Sequence, residues 1–193
     1  MKNLPLLSTT SLNFYKFDVT RQVFFQTEHT FSIVNLKPIT THHILVIPKR
    51  SCKKLFELNQ EEVADFYSTI HLLYRFIRHL TNTNGVNLAI QDGELSGQSV
   101  PHVHAHIIPR FENGNMGDKV YDLLKGNDQA KNSAGDVAKP DAPIQRRERS
   151  MEEMISEASH LKDMVNEWLK LSEEEKDKQS KDIPDYSEKD TEI

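Results

Sequence analysis

Gln98-Ser99-Val100-Pro101-His102-Val103-His104-Ala105-His106-Ile107-Ile108 is the stretch on which the reading of this chain turns. Histidine alternates there with small or apolar residues. In an extended chain alternate side chains share a face, each about 6.6–7 Å from the next. A strand from His102 to Pro109 would turn Val103, Ala105 and Ile107 toward a core and line up His102, His104 and His106 on the other side. The chain has nine histidines in 193 residues, so chance rarely builds such a row. Three readings stay open at this point. The row is a polar sheet face, or a metal site of the kind that two or three histidines on one strand can form, or a catalytic row in which one imidazole attacks phosphorus and its neighbours position it. No Asp or Glu lies within the row to complete a metal site, although the fold could bring one from elsewhere. The preceding loop favours catalysis: Gly93 and Gly97 allow close backbone approach, and Gln98 and Ser99 offer donors to an anion.

Working outward, Leu12–Phe17, Val23–Gln26, Phe31–Asn35, Ile44–Ile47 and Val86–Gln91 have strand composition. Asn59 and Glu62 have the spacing of a capping box. Val63, Phe66, Tyr67, Ile70, Leu73, Tyr74, Ile77 and Leu80 then recur at steps of three and four, which predicts an amphipathic helix of about six turns. His71 and His79 on it read as surface or packing residues. Ser150 with Glu153 opens a second helix marked by Met151, Met154, Ile155, Ala158, Leu161, Met164, Val165 and Trp168. The expected fold class is α+β, an antiparallel-rich sheet with one long and one C-terminal helix.

Composition narrows the function. Lys plus Arg is 24 and Asp plus Glu is 29, a formal charge of −5, so a broad nucleic-acid-binding face is not expected. Cys52 is the single cysteine, which rules out an internal disulfide and a multi-cysteine zinc site. No apolar run approaches the roughly 20 residues of a membrane span, and the N-terminal segment lacks a secretory or mitochondrial pattern. The expectation is an intracellular protein of the cytoplasm or nucleus that binds neither membrane nor nucleic acid. Residues 172–193 carry nine acids against four lysines and few large apolar side chains, and read as a disordered acidic tail. Residues 126–149 read as a mobile loop.

His-Val-His-Ala-His-Ile-Ile at 102–108 matches the histidine triad signature, and the sequence resembles the fragile-histidine-triad branch of that superfamily, the dinucleoside polyphosphate hydrolases. Phe31–Pro38, His43–Pro48, Gln91–Val100 and Gly117–Tyr121 extend the resemblance over roughly residues 10–125 and the final helix. By this resemblance 1–125 is the histidine triad domain and 150–171 a helix packed on it. His106 stands where transferase and phosphorylase branches usually have Gln. Two departures stand out: His42 replaces a glycine that commonly precedes the residue matching His43, and Lys16 stands roughly where related proteins can use a histidine.

The resemblance implies roles. His104 is the nucleophile, with its Nδ1–H held by the backbone carbonyl of His102. His106 stabilises charge on the α-phosphorus, and His43 supports the triad from the neighbouring strand. Asn35 binds a ribose hydroxyl, Gln91 positions the nucleotide, and Gly97, Gln98, Ser99 and Val100 line the polyphosphate path. The implied reaction cleaves diadenosine triphosphate to AMP and ADP through a covalent His-AMP intermediate. Mg or Mn would travel with the substrate phosphates, with no metal bound by the protein itself. A homodimer is implied as well, and Phe66, Tyr67, Tyr74 and Phe76 read as more aromatics than one core face needs. Other readings are an adenylate phosphoramidase or adenylylsulfate hydrolase, and a nucleotide-sensing adaptor in which Tyr121 sits beside a closing loop. Asp92 reads as a turn residue, and Lys49, Arg50, Lys53 and Lys54 as a solvated surface.

Overall fold

In the computed structural model, residues 11–112, 117–125 and 147–178 are described. The loop reading for 126–149 lies outside them except at its last three residues, and so does the tail beyond 178.

The chain opens with a short hairpin, β1 (Asn13–Phe14) and β2 (Phe17–Asp18). The single strand expected over Leu12–Phe17 is therefore corrected. Tyr15 takes a positive φ of 57°, which reverses the chain where an uninterrupted strand would have continued. Strands β3 (Val23–Gln26), β4 (Thr30–Val34) and β5 (Ile44–Pro48) follow as an antiparallel meander.

Helix α1 (Gln60–Thr81) starts at the expected box: the Asn59 side chain accepts from the Glu62 N–H, and the Glu62 carboxylate accepts from the Asn59 N–H. It stops at Asn82, which adopts the left-handed conformation at φ 47°. Strands β6 (Gly85–Ile90) and β7 (Ala105–Arg110) complete a five-stranded antiparallel sheet in the order β3-β4-β5-β7-β6. The strand expected from His102 thus begins only at Ala105, because residues 102–104 pair with side chains and carbonyls from other parts of the fold rather than with a neighbouring strand. Short α2 (Lys119–Lys125) comes next. Then α3 (Met151–Lys170) is capped by Ser150 and Glu153 as read from the sequence.

The two sheet faces have different fates. Val34, Ile44, Val46, Ala105 and Ile107 form one core with Phe66, Leu73, Phe76 and Ile77 of α1 and with Ala158, Leu161, Val165 and Trp168 of α3. The alternation that placed Val103, Ala105 and Ile107 inward holds. Phe66 and Phe76 are both fully buried there, so these two are not surplus to the core; Tyr67 stays exposed and Tyr74 lies under Arg78. The other face packs Phe14 and Val19 of the hairpin region on Phe31, Ile33, Leu45 and Ile47, with Val120 and Leu124 of α2 on Ile108. The histidine row lies between these two clusters.

Gly117–Tyr121 leads into helix α2, and Tyr121 is exposed with its hydroxyl 3.5 Å from Asn87 Nδ2. One further expectation shifts. The acidic tail read from 172 begins with a short helix α4 (Glu173–Lys178), held by an Arg75–Glu173 ion pair of 2.8 Å and by Lys176 over the Trp168 ring. Among the described residues, no helix is long and apolar enough to cross a membrane.

Candidate active site

All three triad histidines are buried. Each ring is held differently, and the partners fix which nitrogen carries the proton.

His102 Nδ1 accepts the backbone N–H of Tyr15 at 2.9 Å, so its proton sits on Nε2, which donates to the Pro48 carbonyl at 2.9 Å. Both ring nitrogens are committed. This side chain braces the site and takes no part as an acid or base in that arrangement. Its own carbonyl accepts the Nδ1–H of His104 at 2.8 Å, which leaves the lone pair of His104 on Nε2. The main chain between them is fixed in turn, since Val103 N–H donates to the Cys52 carbonyl at 2.7 Å. Phe14 covers both rings, with centroids 5.7 Å from His102 and 5.1 Å from His104, edge-on to the latter.

A second relay runs through His43. Its Nδ1 accepts the Ile39 N–H at 3.1 Å, and its Nε2 lies 2.9 Å from His106 Nδ1. With both rings neutral, His43 donates through Nε2–H, and the proton of His106 is placed on Nε2. His106 is thus set to donate, while His104 is set to attack. Their ring centroids are 5.0 Å apart. Asn35 accepts the Lys37 N–H on Oδ1, and its amide Nδ2 lies 3.2 Å from His43 Nε2, a contact of two donors in this tautomer rather than a hydrogen bond.

Burial works against a charge on His104. Burial pushes the pKa of His104 below the ordinary histidine range, against the opposing pull of its bond to the His102 carbonyl. Burial lowers His102 likewise, against its bond to the Pro48 carbonyl.

The structure brings His102, His104, His106, His43 and Asn35 together. Gln91 lies one residue beyond the last β6–β7 pair, Ile90 with Ala105, so the register places it across from His104. Its Nε2 donates to the Ser96 carbonyl at 3.1 Å. Gln98 ties its loop together and to the segment after β5: Oε1 accepts the Gly93 N–H at 2.9 Å and Nε2 donates to the Lys53 carbonyl at 3.1 Å. Ser99 is exposed, Val100 packs beside the Phe14 cluster, and Gly97 takes φ 86° at the end of the loop's helical turn. Asp92 accepts the Leu55 N–H at 3.0 Å, which ties the loop to the segment after β5. Lys49 and Arg50 are structural, the first bonded to the Thr27 carbonyl and the second paired with Glu62 at 2.7 Å, while Lys54 reaches the Asp92 carbonyl. Lys16 rests over the Phe17 ring. Among the described residues no group of three His, Cys, Asp or Glu is arranged to hold a metal ion.

Sequence reasoning missed Phe14, Tyr15 and Pro48 as parts of the site. Two of them act through backbone atoms and Phe14 through a hydrophobic side chain, so no motif could mark them.

The site thus sets an imidazole with an unprotonated Nε2 beside one protonated on Nε2, on one face of an antiparallel sheet. Residues 16–113 match the family model described as HIT domain, and the chain belongs to that family. A bis(5'-adenosyl)-triphosphatase of Saccharomyces cerevisiae is 36% identical over 192 residues, covering 81% of this chain and 92% of that protein. An asymmetrical bis(5'-nucleosyl)-tetraphosphatase of Schizosaccharomyces pombe is 37% identical over 173 residues, covering 81% of this chain and 95% of that protein. Among solved structures, the Plasmodium falciparum diadenosine triphosphate hydrolase in complex with Cyclomarin A is similar with a TM-score of 0.62 and 29% identity, over 83% of this chain and 87% of that one.

Proposed function

We propose that this chain is a dinucleoside polyphosphate hydrolase that cleaves diadenosine triphosphate to AMP and ADP. The observation that carries the reading is the 2.8 Å bond from His104 Nδ1 to the His102 carbonyl, which leaves Nε2 as the nucleophilic atom of a buried, neutral ring. A neutral imidazole approaches an anionic phosphorus without adding negative charge. The Nε2 lone pair forms a bond to the α-phosphorus, the bridging P–O bond breaks, and ADP leaves. Water then attacks the same phosphorus, the P–N bond breaks, and AMP departs as His104 recovers its lone pair. His106 Nε2–H donates to the oxygens on which charge develops. Asn35 and Gln91 hold the nucleoside, and Gln98 and Ser99 shape the loop over the polyphosphate.

Mg or Mn enters with the polyphosphate and balances its charge. Support comes from the ring nitrogens of His102 and His43, whose hydrogen bonds use the atoms a metal would need. The working unit is a homodimer: β6 is an edge strand with Leu88 half exposed, and Tyr67 of α1 is exposed too. Its compartment is the cytoplasm or the nucleus, consistent with a single buried thiol.

Hydrolysis in oxygen-18 water tests the chemistry. Label is expected in AMP, because water attacks the adenylylated histidine. Label found only in ADP would place the attack on another phosphorus and end the covalent mechanism.

A further inference from the structure

The connection between β4 and β5, residues 35–43, carries Asn35, the Ile39 N–H and His43, and so decides the protonation pattern of His106. It is gripped by the segment that opens α3. Arg149 donates through Nε to the Asn35 carbonyl at 3.0 Å and through Nη2 to the same oxygen, while its backbone N–H donates to the Leu36 carbonyl at 3.0 Å. Glu148 pairs with Lys37 at 2.8 Å. At the far end of the connection, His42 Nδ1 lies 3.4 Å from Glu157 Oε1, and the other Glu157 oxygen accepts from Arg149 Nη1. Burial would push the pKa of Glu157 up, but His42 and Arg149 outweigh it and hold the carboxylate below its ordinary range.

Simple docking of α3 does not require this arrangement, because the helix already buries Met154, Ala158, Leu161, Val165 and Trp168 in the core. The polar cluster lies elsewhere, at the two ends of one short connection. His42 also holds a φ of 61°, a region that L side chains with a β-carbon seldom occupy, and its ring lies beside Glu157.

We infer that Arg149, Glu157 and His42 are positioning residues that hold Asn35 and His43 in register with His106. The guanidinium fork fixes two directions on one carbonyl oxygen, which an ammonium cannot reproduce. Loosening it lets His43 turn away from Ile39, and both imidazoles then sample the other tautomer.

The inference rests on the hydrolase reading, and its test is built to separate the two. Full-length protein labelled with nitrogen-15 at histidine is compared as wild type, Arg149→Lys, His42→Gly and Leu161→Val. Glycine adopts the same turn readily, so His42→Gly removes the Glu157 contact without disturbing the chain. Leu161→Val loosens α3 through the core alone. Wild type is expected to show His43 and His106 each as one tautomer protonated on Nε2. Arg149→Lys and His42→Gly should give averaged ring-nitrogen shifts at both residues, and Arg149→Lys should lower kcat about tenfold with KM within about threefold. Leu161→Val should lower Tm and leave nitrogen shifts and kcat as they were. If both polar variants keep wild-type shifts, or if Leu161→Val averages them equally, the contacts only dock the helix and the inference falls. If wild type does not cleave diadenosine triphosphate, the hydrolase reading falls, and the nitrogen spectra alone decide the brace.

Discussion

In the proposed mechanism His104 attacks as the neutral ring, and burial favours that form by lowering its pKa. The acid limb of kcat should therefore lie below the ordinary histidine value of about 6.5, with turnover flat from about pH 8 down through 7. A limb centred above that value in a kcat–pH profile would contradict the assignment. The same shifts act on stability. An unfolded chain takes up protons on His102 and His104 as pH drops below about 6.5, and the folded chain resists them. Their contribution is complete above that pH and is lost progressively below it. Glu62 adds a second loss in the window from 4.5 to about 2, where its hydrogen bond from Arg50 holds the folded carboxylate charged. Urea midpoints taken across pH 8 to 4 should fall with the first inflection near the histidine window. At the same residue, His104→Asn should cut turnover by at least about a thousandfold with substrate affinity near wild type, because the nucleophile is gone and the pocket survives. His106→Asn should be milder, about 10²–10³, the usual cost of one lost donor to a developing oxyanion. Single-turnover assays beside a direct binding measurement separate these outcomes.

At the scale of elements, α1 depends on its start. Asn59 both caps the helix and exchanges bonds with Glu62, which also ties Arg50 at the end of β5 to the helix. Asn59→Ala should destabilise the chain by about 1 kcal/mol, read as a denaturant midpoint shift at unchanged slope. Both long helices were legible because capping boxes and three-four spacing are local properties. Strands β3, β4, β5 and β6 and the inward set Val103, Ala105 and Ile107 were legible for the same reason, while their order in the sheet was not read. The β1–β2 hairpin was not, since Tyr15 turns the chain in a conformation its residue type does not advertise. Nor was the late start of β7 at Ala105. His102 and His104 look like strand residues by alternation, yet their partners are Tyr15, Pro48 and a carbonyl two residues away. The triad and His43 could be read from a motif. Phe14 and Arg149 could not, because their importance arises only when distant segments meet.

For the whole molecule, the edge strand β6 leaves one side of the sheet open, and light scattering at micromolar concentration should give twice the chain mass of 22.3 kDa. A monomer would remove the dimer. Deleting 172–193 takes away α4, which meets Arg75 of α1 and Trp168 of α3, away from the histidine face. Hydrolysis should stay close to wild type; loss of turnover in the truncated protein would mean the tail reaches the site. Finally, the group that orients the nucleophile is a peptide carbonyl. A carboxylate in that place could be neutralised by acid or erased by one codon change. A peptide oxygen can be neither. Selection can therefore alter the orientation of His104 by displacing the main chain at His102, which the Val103–Cys52 hydrogen bond and the ring's ties to Tyr15 and Pro48 hold, so heritable tuning of this enzyme's rate should accumulate in residues that shift those contacts.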